Sequence, residues 1–130
     1  MNSRTPPPLG FQRLKVVALA VNDLTRAQHF YSATLGLPPA YEGDDQVGYL
    51  LGQTIFMLKA NWYAPPTQQP NPRITIAVDD ARQTQQALEA RRVEIADAVA
   101  RFDGFYVGSF LDSEGNKLWF CSPAEQNSSA

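Results

Sequence analysis

The side chains that do most chemistry in proteins are scarce in this chain. It has one histidine, His29, and one cysteine, Cys121. Transition-metal sites draw on His, Cys and carboxylates together, so a multi-His or Cys-rich centre within the chain is excluded. His29 falls on the polar side of a helical stretch, beside Arg26 and Ser32, which suits a solvent-facing residue better than a base. Cys121 has no neighbouring histidine or clear helix start to activate it and reads as an inert, partly buried thiol. The acids form no acid–base pair. Glu42, Asp44 and Asp45 cluster at a turn, and Asn22-Asp23 and Asp79-Asp80 are accounted for as helix caps. There is no phosphate-binding glycine loop, nucleophile elbow or dinucleotide fingerprint. No catalytic residue can be named, no metal ligand set is visible and no cofactor is called for.

The sequence does offer binding chemistry. Arg73, Thr75 and Ala77 alternate along one face of a strand. An Arg on a largely apolar surface presents a planar fork to a carboxylate or phosphate. The plainer alternative is that Arg73 starts its strand and meets a surface acid or solvent. Tyr49, Phe102, Phe105, Tyr106 and Phe110 add aromatic surface, of which strand alternation sends about half to each face. Tyr49 and Phe105 are carried forward as ligand contacts. Phe102-Asp103-Gly104-Phe105-Tyr106 reads as a mobile rim loop that pivots at Gly104.

These residues are positioned by a stretch that occurs twice, as Val16-Val17-Ala18-Leu19-Ala20-Val21-Asn22-Asp23-Leu24 and as Arg73-Ile74-Thr75-Ile76-Ala77-Val78-Asp79-Asp80-Ala81. Each is an alternating strand that ends in Val and an Asx-Asp pair opening a helix. Val21 and Val78 lie 57 positions apart, close to half the chain. The first strand is expected over 14–21. Its helix follows over 24–35, with Leu24, Ala27, Phe30, Tyr31 and Leu35 as the apolar stripe, and Gly36 and Pro38-Pro39 end it. Strands are expected at 40–42, 46–51 and 54–60. Asn61 to Pro72 is a Pro-rich, extended linker that begins with Trp62 and Tyr63, aromatics placed to cover a pocket or to pack on a sheet edge. The second half repeats the order: strand 73–78, a helix to about Arg91, a strand starting at 93–95, then strands 105–111 and 117–122, the last two joined by the turn Asp112-Ser113-Glu114-Gly115-Asn116.

The fold class is therefore α+β. Two βαβββ modules form curled mixed sheets, with the helices on the outer face and a concave trough on the other. The expected boundaries are an extended tail over 1–13, one domain over 14–123 (module one 14–60, linker 61–72, module two 73–123) and a tail over 124–130. At 130 residues the chain can bury a sizeable core. Its formal charge of −2 gives no bulk reason to expect nucleic acid. No apolar run reaches the roughly 20 residues of a membrane helix, and the Pro-rich start lacks the apolar core of a secretory signal. A single thiol fits a reducing cytoplasm.

The repeated strand-to-helix signal, the helix end Phe30-Tyr31…Leu35-Gly36-Leu37 and the run Asp112-Ser113-Glu114-Gly115-Asn116-Lys117-Leu118 resemble the vicinal oxygen chelate superfamily. This group contains glyoxalase I, extradiol dioxygenases, fosfomycin resistance enzymes and bleomycin resistance proteins. The resemblance covers Leu14 to Pro123. It implies paired modules, a homodimer and sites between modules. It also implies four strand positions for a divalent metal, which here hold Val16, Met57, Arg73 and Trp119. Val and Trp offer no lone pair to such an ion, Arg repels it, and one thioether is not a site. The metal-free, bleomycin-resistance-like branch is thus the better comparison. In that setting Trp119 and Met57, with Ile55, floor the trough and stack on a flat ligand, or simply pack the modules together.

The candidate ligand contacts are Arg73, Trp119, Met57, Thr75, Tyr49 and Phe105. The expected function is binding or sequestration of a planar or anionic small molecule by a homodimer, without nucleic acid or membrane. Two alternatives stay open: a lyase or dioxygenase of this fold with a non-standard or metal-free site, and an interaction module whose trough is filled by its own side chains.

Overall fold

A computed structural model describes residues 7–62 and 64–124. The outermost parts of both expected tails, and Tyr63, lie outside them. In the first half, β1 (Val16–Val21) leads into α1 (Leu24–His29), which continues as a wider π-helical turn over Phe30–Thr34. Three strands follow: β2 (Pro39–Glu42), β3 (Asp45–Leu51) and β4 (Thr54–Ala60). The second half repeats the order with β5 (Thr75–Ala77), α2 (Ala81–Ala90), β6 (Ile95–Phe102), β7 (Phe105–Leu111) and β8 (Lys117–Pro123). The sheets run β1-β4-β3-β2 and β5-β8-β7-β6. In each, the first strand is parallel to the last and the remaining pairs are antiparallel. This is the α+β, two-module architecture that the repeat implies.

Several local expectations change. Residues 7–15 are exposed and irregular, so β1 starts at Val16 rather than at Leu14. Helix one is not uniformly α. Leu35 N–H donates to the Phe30 carbonyl at 2.9 Å, a five-residue step. The widened turn lets neighbours Phe30 and Tyr31 both point inward, at 8% and 0% exposure. Strand β5 is only three residues long, although Trp119 N–H to Ile74 O and Val78 N–H to Cys121 O extend its bonding at both ends. Arg73 thus sits just before the strand. The expected rim loop at Phe102–Tyr106 is instead a two-residue hairpin turn. Phe102 pairs with Phe105, and Asp103 has φ of 51°.

Each sheet has a helix-covered face and a helix-free face. On the first sheet Phe56 and Tyr49 turn toward α1 and its π turn. Tyr31 stacks near Tyr49 (centroids 6.5 Å) and meets Phe56 edge-on (6.1 Å). On the second sheet Leu118, Phe120 and Phe110 are buried with Leu88 and Val93. The Ser122 hydroxyl accepts from the Ala81 N–H at 2.8 Å and so caps α2 from the sheet beneath it. The apolar sets of both halves belong to one cluster, and each fully buried Leu or Phe in it contributes about 1.5–3 kcal/mol.

The halves are also joined by polar bonds at the Asp112–Asn116 turn. The Glu114 carboxylate accepts from the Asn22 and Asp23 backbone N–H groups (2.9 and 2.8 Å), from Arg26 Nε (2.8 Å) and Nη2 (3.0 Å), and from the Ser113 hydroxyl (2.9 Å). A residue of module two thus satisfies the first backbone donors of module one's helix. The carboxylate of Asp23, the local cap, accepts from Arg26 N–H. Beside it, Asp112 accepts from the Tyr31 hydroxyl at 2.6 Å and from Glu114 N–H, Asn116 N–H and the Asn116 side-chain amide. That same amide donates to Ala20 O at 2.8 Å.

Candidate functional site

The candidate site follows from strand register. Directly paired residues point to one side of a sheet. Thr75 pairs with Trp119, Trp119 with Ser109, and Ser109 with Asp97. These four form one row across all four strands of the second sheet, on its helix-free face. Lys117 and Cys121 flank Trp119 two residues either way along β8, and Phe105 lies four residues before Ser109 on β7. Arg73 stands two residues before Thr75, where β5 has not yet begun.

Charge gathers around the indole. The Arg73 guanidinium lies over the Trp119 ring, its carbon 3.9 Å from the centroid, and Lys117 Nζ is 4.5 Å from the same centroid. Each is within cation–π range. Lys117 also pairs with Asp97, whose Oδ2 accepts the Ser109 hydroxyl at 2.6 Å. Ser109 is fully buried and in turn accepts the Asp97 N–H at 3.0 Å. The Lys117 bond, then the Ser109 bond, and more weakly the Arg73 charge hold the Asp97 carboxyl below its usual pKa. β6 has register shifts on both sides of Asp97, and such bulges re-aim a side chain. Among the described residues no ion pair engages Arg73. The group of Arg73, Lys117 and Asp97 carries a net single positive charge.

The structure therefore brings together Arg73, Thr75 and Trp119, with Phe105 on the same face and 49% exposed. Met57 pairs with Ala18 as Trp119 pairs with Thr75, which puts it at the equivalent place on the first sheet. Tyr49 does not belong with them. It pairs with Phe56, not with the Met57 side, and is buried against Tyr31 at 7% exposure. The hairpin register set by the Gly52-Gln53 turn contains this answer, since Leu51 opposite Thr54 forces Tyr49 opposite Phe56. Phe110 is likewise core, and Tyr106 hydrogen-bonds Arg82 of α2. Sequence reasoning missed Lys117 and Asp97. Lys117 was accessible through its two-residue spacing from Trp119. Asp97 was hidden by the bulges.

Two depressions lie elsewhere. One of about 280 Å³ lies at the junction of α1 and the first sheet, where Leu24, Gln28, Val47 and Tyr49 line it. Another of about 330 Å³ is lined by Val21, Asn22, Asn61, Trp62 and the prolines after it, so Trp62 borders a pocket.

The positions at which the resembled family holds a metal do not fit one here. Val16 and Trp119 have no donor atom for it, and the cation of Arg73 occupies the third place. Among the described residues no group of three or more His, Cys, Asp or Glu side chains is placed to hold a metal ion. Among the same residues no helix is long and apolar enough to cross a membrane.

Residues 13–120 match the family model described as Glyoxalase/Bleomycin resistance protein/Dioxygenase superfamily. No curated protein matches the chain. Solved structures share the fold. TnmS3, an antibiotic binding protein from Streptomyces sp. CB03234, is 18% identical with a TM-score of 0.72, covering 90% of this chain and 100% of its own. A superfamily member from Sphaerobacter thermophilus DSM 20745 is 20% identical at 0.70, over 88% and 99%. Lactoylglutathione lyase from Agrobacterium tumefaciens is 20% identical at 0.66, over 90% and 96%.

Proposed function

From a chain that belongs to the Glyoxalase/Bleomycin resistance protein/Dioxygenase superfamily, we propose a small-molecule binding or sequestering protein of the metal-free kind. It acts in the cytoplasm as a homodimer. The ligand lies along the helix-free faces of the sheets, on Trp119 and Met57, with Arg73, Thr75 and Phe105 at its edges. One observation carries this reading. At a position where the family's enzymes hold a metal ligand stands an indole, half-buried and covered by the guanidinium of Arg73. A guanidinium lying over an indole offers its own outer plane to a flat molecule, and neither group can polarise a substrate as a Lewis acid does. The antibiotic binding of TnmS3 supports the reading by likeness of fold alone.

The competing reading is a lyase, favoured by the shared fold with Lactoylglutathione lyase. Metal content separates the two. Untagged protein is purified without chelator and then incubated with nickel, zinc, manganese or ferrous ion. The binding reading expects no stoichiometric, tightly held ion. Retention of one ion per chain would overturn it and restore the enzyme. A thermal-shift screen of planar compounds then expects a concentration-dependent rise in Tm, and sedimentation expects a dimer.

A further inference from the structure

The row Thr75–Trp119–Ser109–Asp97, with Arg73 and Lys117 beside it, is more than an apolar shelf. We propose that it is a subsite for a planar aromatic carboxylate, and that Asp97 is a built-in competitor occupying the place of the ligand's carboxylate. The inference rests on the reading that this face binds small molecules. It adds the sign of the ligand's charge and the residue that controls access.

The geometry argues for an anion. Two cations already lie against the indole, Arg73 at 3.9 Å and Lys117 at 4.5 Å from its centroid. A planar cation stacking there would meet both, and like charges at such range repel. A guanidinium that lies over a ring keeps N–H groups in its own plane, and these match a carboxylate's two oxygens. Arg73 is exposed and has no acid of its own among the described residues. The cluster keeps one positive charge with Asp97 in place and two with Asp97 turned into water, so it favours an anion in either state.

Asp97 shows where a carboxylate sits. Its Oδ2 is held by Lys117 and by the buried Ser109 hydroxyl, and the bulges in β6 aim it there. Yet its side chain is 46% exposed. It can swing into water and leave Lys117 and Ser109 to an arriving oxygen. A ligand must displace it, so Asp97 sets a threshold of affinity.

Three probes of one shape and different charge test this: 2-naphthoate, 2-naphthylmethanol and 2-naphthylmethylammonium. The chain has two tryptophans. Its two indole N–H signals in a nitrogen-edited NMR spectrum report the site, with Trp119→Phe assigning them. The expectation is that 2-naphthoate moves the Trp119 signal and binds about tenfold more tightly than the alcohol, the size of a charge-assisted bond. The ammonium binds more weakly than either. Asp97→Asn tightens 2-naphthoate several-fold and leaves the alcohol unchanged. Asp97→Ala, which removes the competitor without leaving an amide, carries the same expectation. Lys117→Gln and Arg73→Ala weaken 2-naphthoate selectively. If the alcohol binds as well as the carboxylate, or if both Asp97 variants leave 2-naphthoate binding unchanged or weaker, the anion subsite is wrong while the small-molecule reading stands. If no probe moves the Trp119 signal, both fall.

Discussion

Replacing Glu114 with Gln tests whether charge, rather than shape, holds the two modules together. The Glu114 side chain is fully buried. Its hydrogen bond from Arg26, with help from the Asp23 N–H, the Ser113 hydroxyl and the Asn22 N–H, overcomes burial and lowers its pKa from 4.5 to about 2. That shift, at 1.36 kcal/mol per unit, makes the charged form worth about 3 kcal/mol more to the folded state than the protonated form. In Glu114→Gln the new amide imitates the protonated form. Its oxygen can still accept from Asn22 and Asp23, but its NH2 would face the Arg26 Nε–H, donor against donor. The variant is therefore expected to lose about 3 kcal/mol near neutral pH. The sign of the pH dependence follows from a depressed carboxyl. The stabilisation is complete above pH 4.5 and disappears as pH falls toward about 2. Urea unfolding followed by circular dichroism, at fixed protein concentration, measures both proteins at about pH 7 and about pH 2.5. The gap between them should be about 3 kcal/mol at the first pH and should shrink to about 1 kcal/mol or less at the second. A gap that stays constant with pH would show that the loss is steric, and the electrostatic reasoning would be refuted.

Other substitutions probe the remaining contacts. Tyr31→Phe removes the 2.6 Å bond to the buried Asp112 carboxylate and should cost about 1.5–3 kcal/mol in urea unfolding; a loss below about 0.5 kcal/mol would mean that the other three donors to Asp112 suffice. Burial and then the Asp112 charge raise the Tyr31 pKa well above 10.0, so this phenol should resist ionisation in an ultraviolet titration. Its contribution is complete below pH 10.0 and is lost as pH rises beyond it, with ionisation coinciding with alkaline unfolding. Gly48→Ala drives a Cβ into the Phe56 carbonyl and to 2.9 Å from Ile55 Cγ2. Because backbone cannot yield as a side chain does, Tm should drop by several degrees or more; an unchanged Tm would refute the close approach. Ser122→Ala leaves the Ala81 N–H without its cap and should cost about 1 kcal/mol, read from the urea midpoint.

What the sequence discloses depends on how far apart the interacting residues stand. The doubled strand-to-helix stretch is visible because its alternation is local. Its helix caps, Asp23 and Asp80, are visible because a cap bonds two or three residues away. Met57 is legible as the counterpart of Trp119 because its pairing with Ala18 repeats that of Trp119 with Thr75. The π turn is not visible, since Phe30, Tyr31 and Leu35 satisfy a helical stripe whether a turn has four residues or five. The hairpin register turns Tyr49 to the helix-covered face, which alternation within one strand does not reveal. The role of Asp112–Asn116 lay beyond reach. The run reads locally as a turn, while its partners in the first module stand 81 to 96 residues earlier. The cluster around Trp119 is intermediate: Arg73 is conspicuous on its strand, but Asp97 reaches Lys117 only through bulges that alternation cannot foresee.

The bond between Glu114 and the start of α1 has a consequence for how the protein is made. Asp23 leaves the ribosome 91 residues before the carboxylate that receives its N–H. At roughly 5–20 residues per second, the first helix waits about 5–18 s for its partner. Through that interval Arg26 has no carboxylate to hold, and Tyr31 has no acceptor at the position Asp112 will fill. The nascent first half therefore lacks these bonds until the final hairpin emerges. These bonds need the Asp112–Asn116 turn, which makes residues 112–116 a check on residues 20–31.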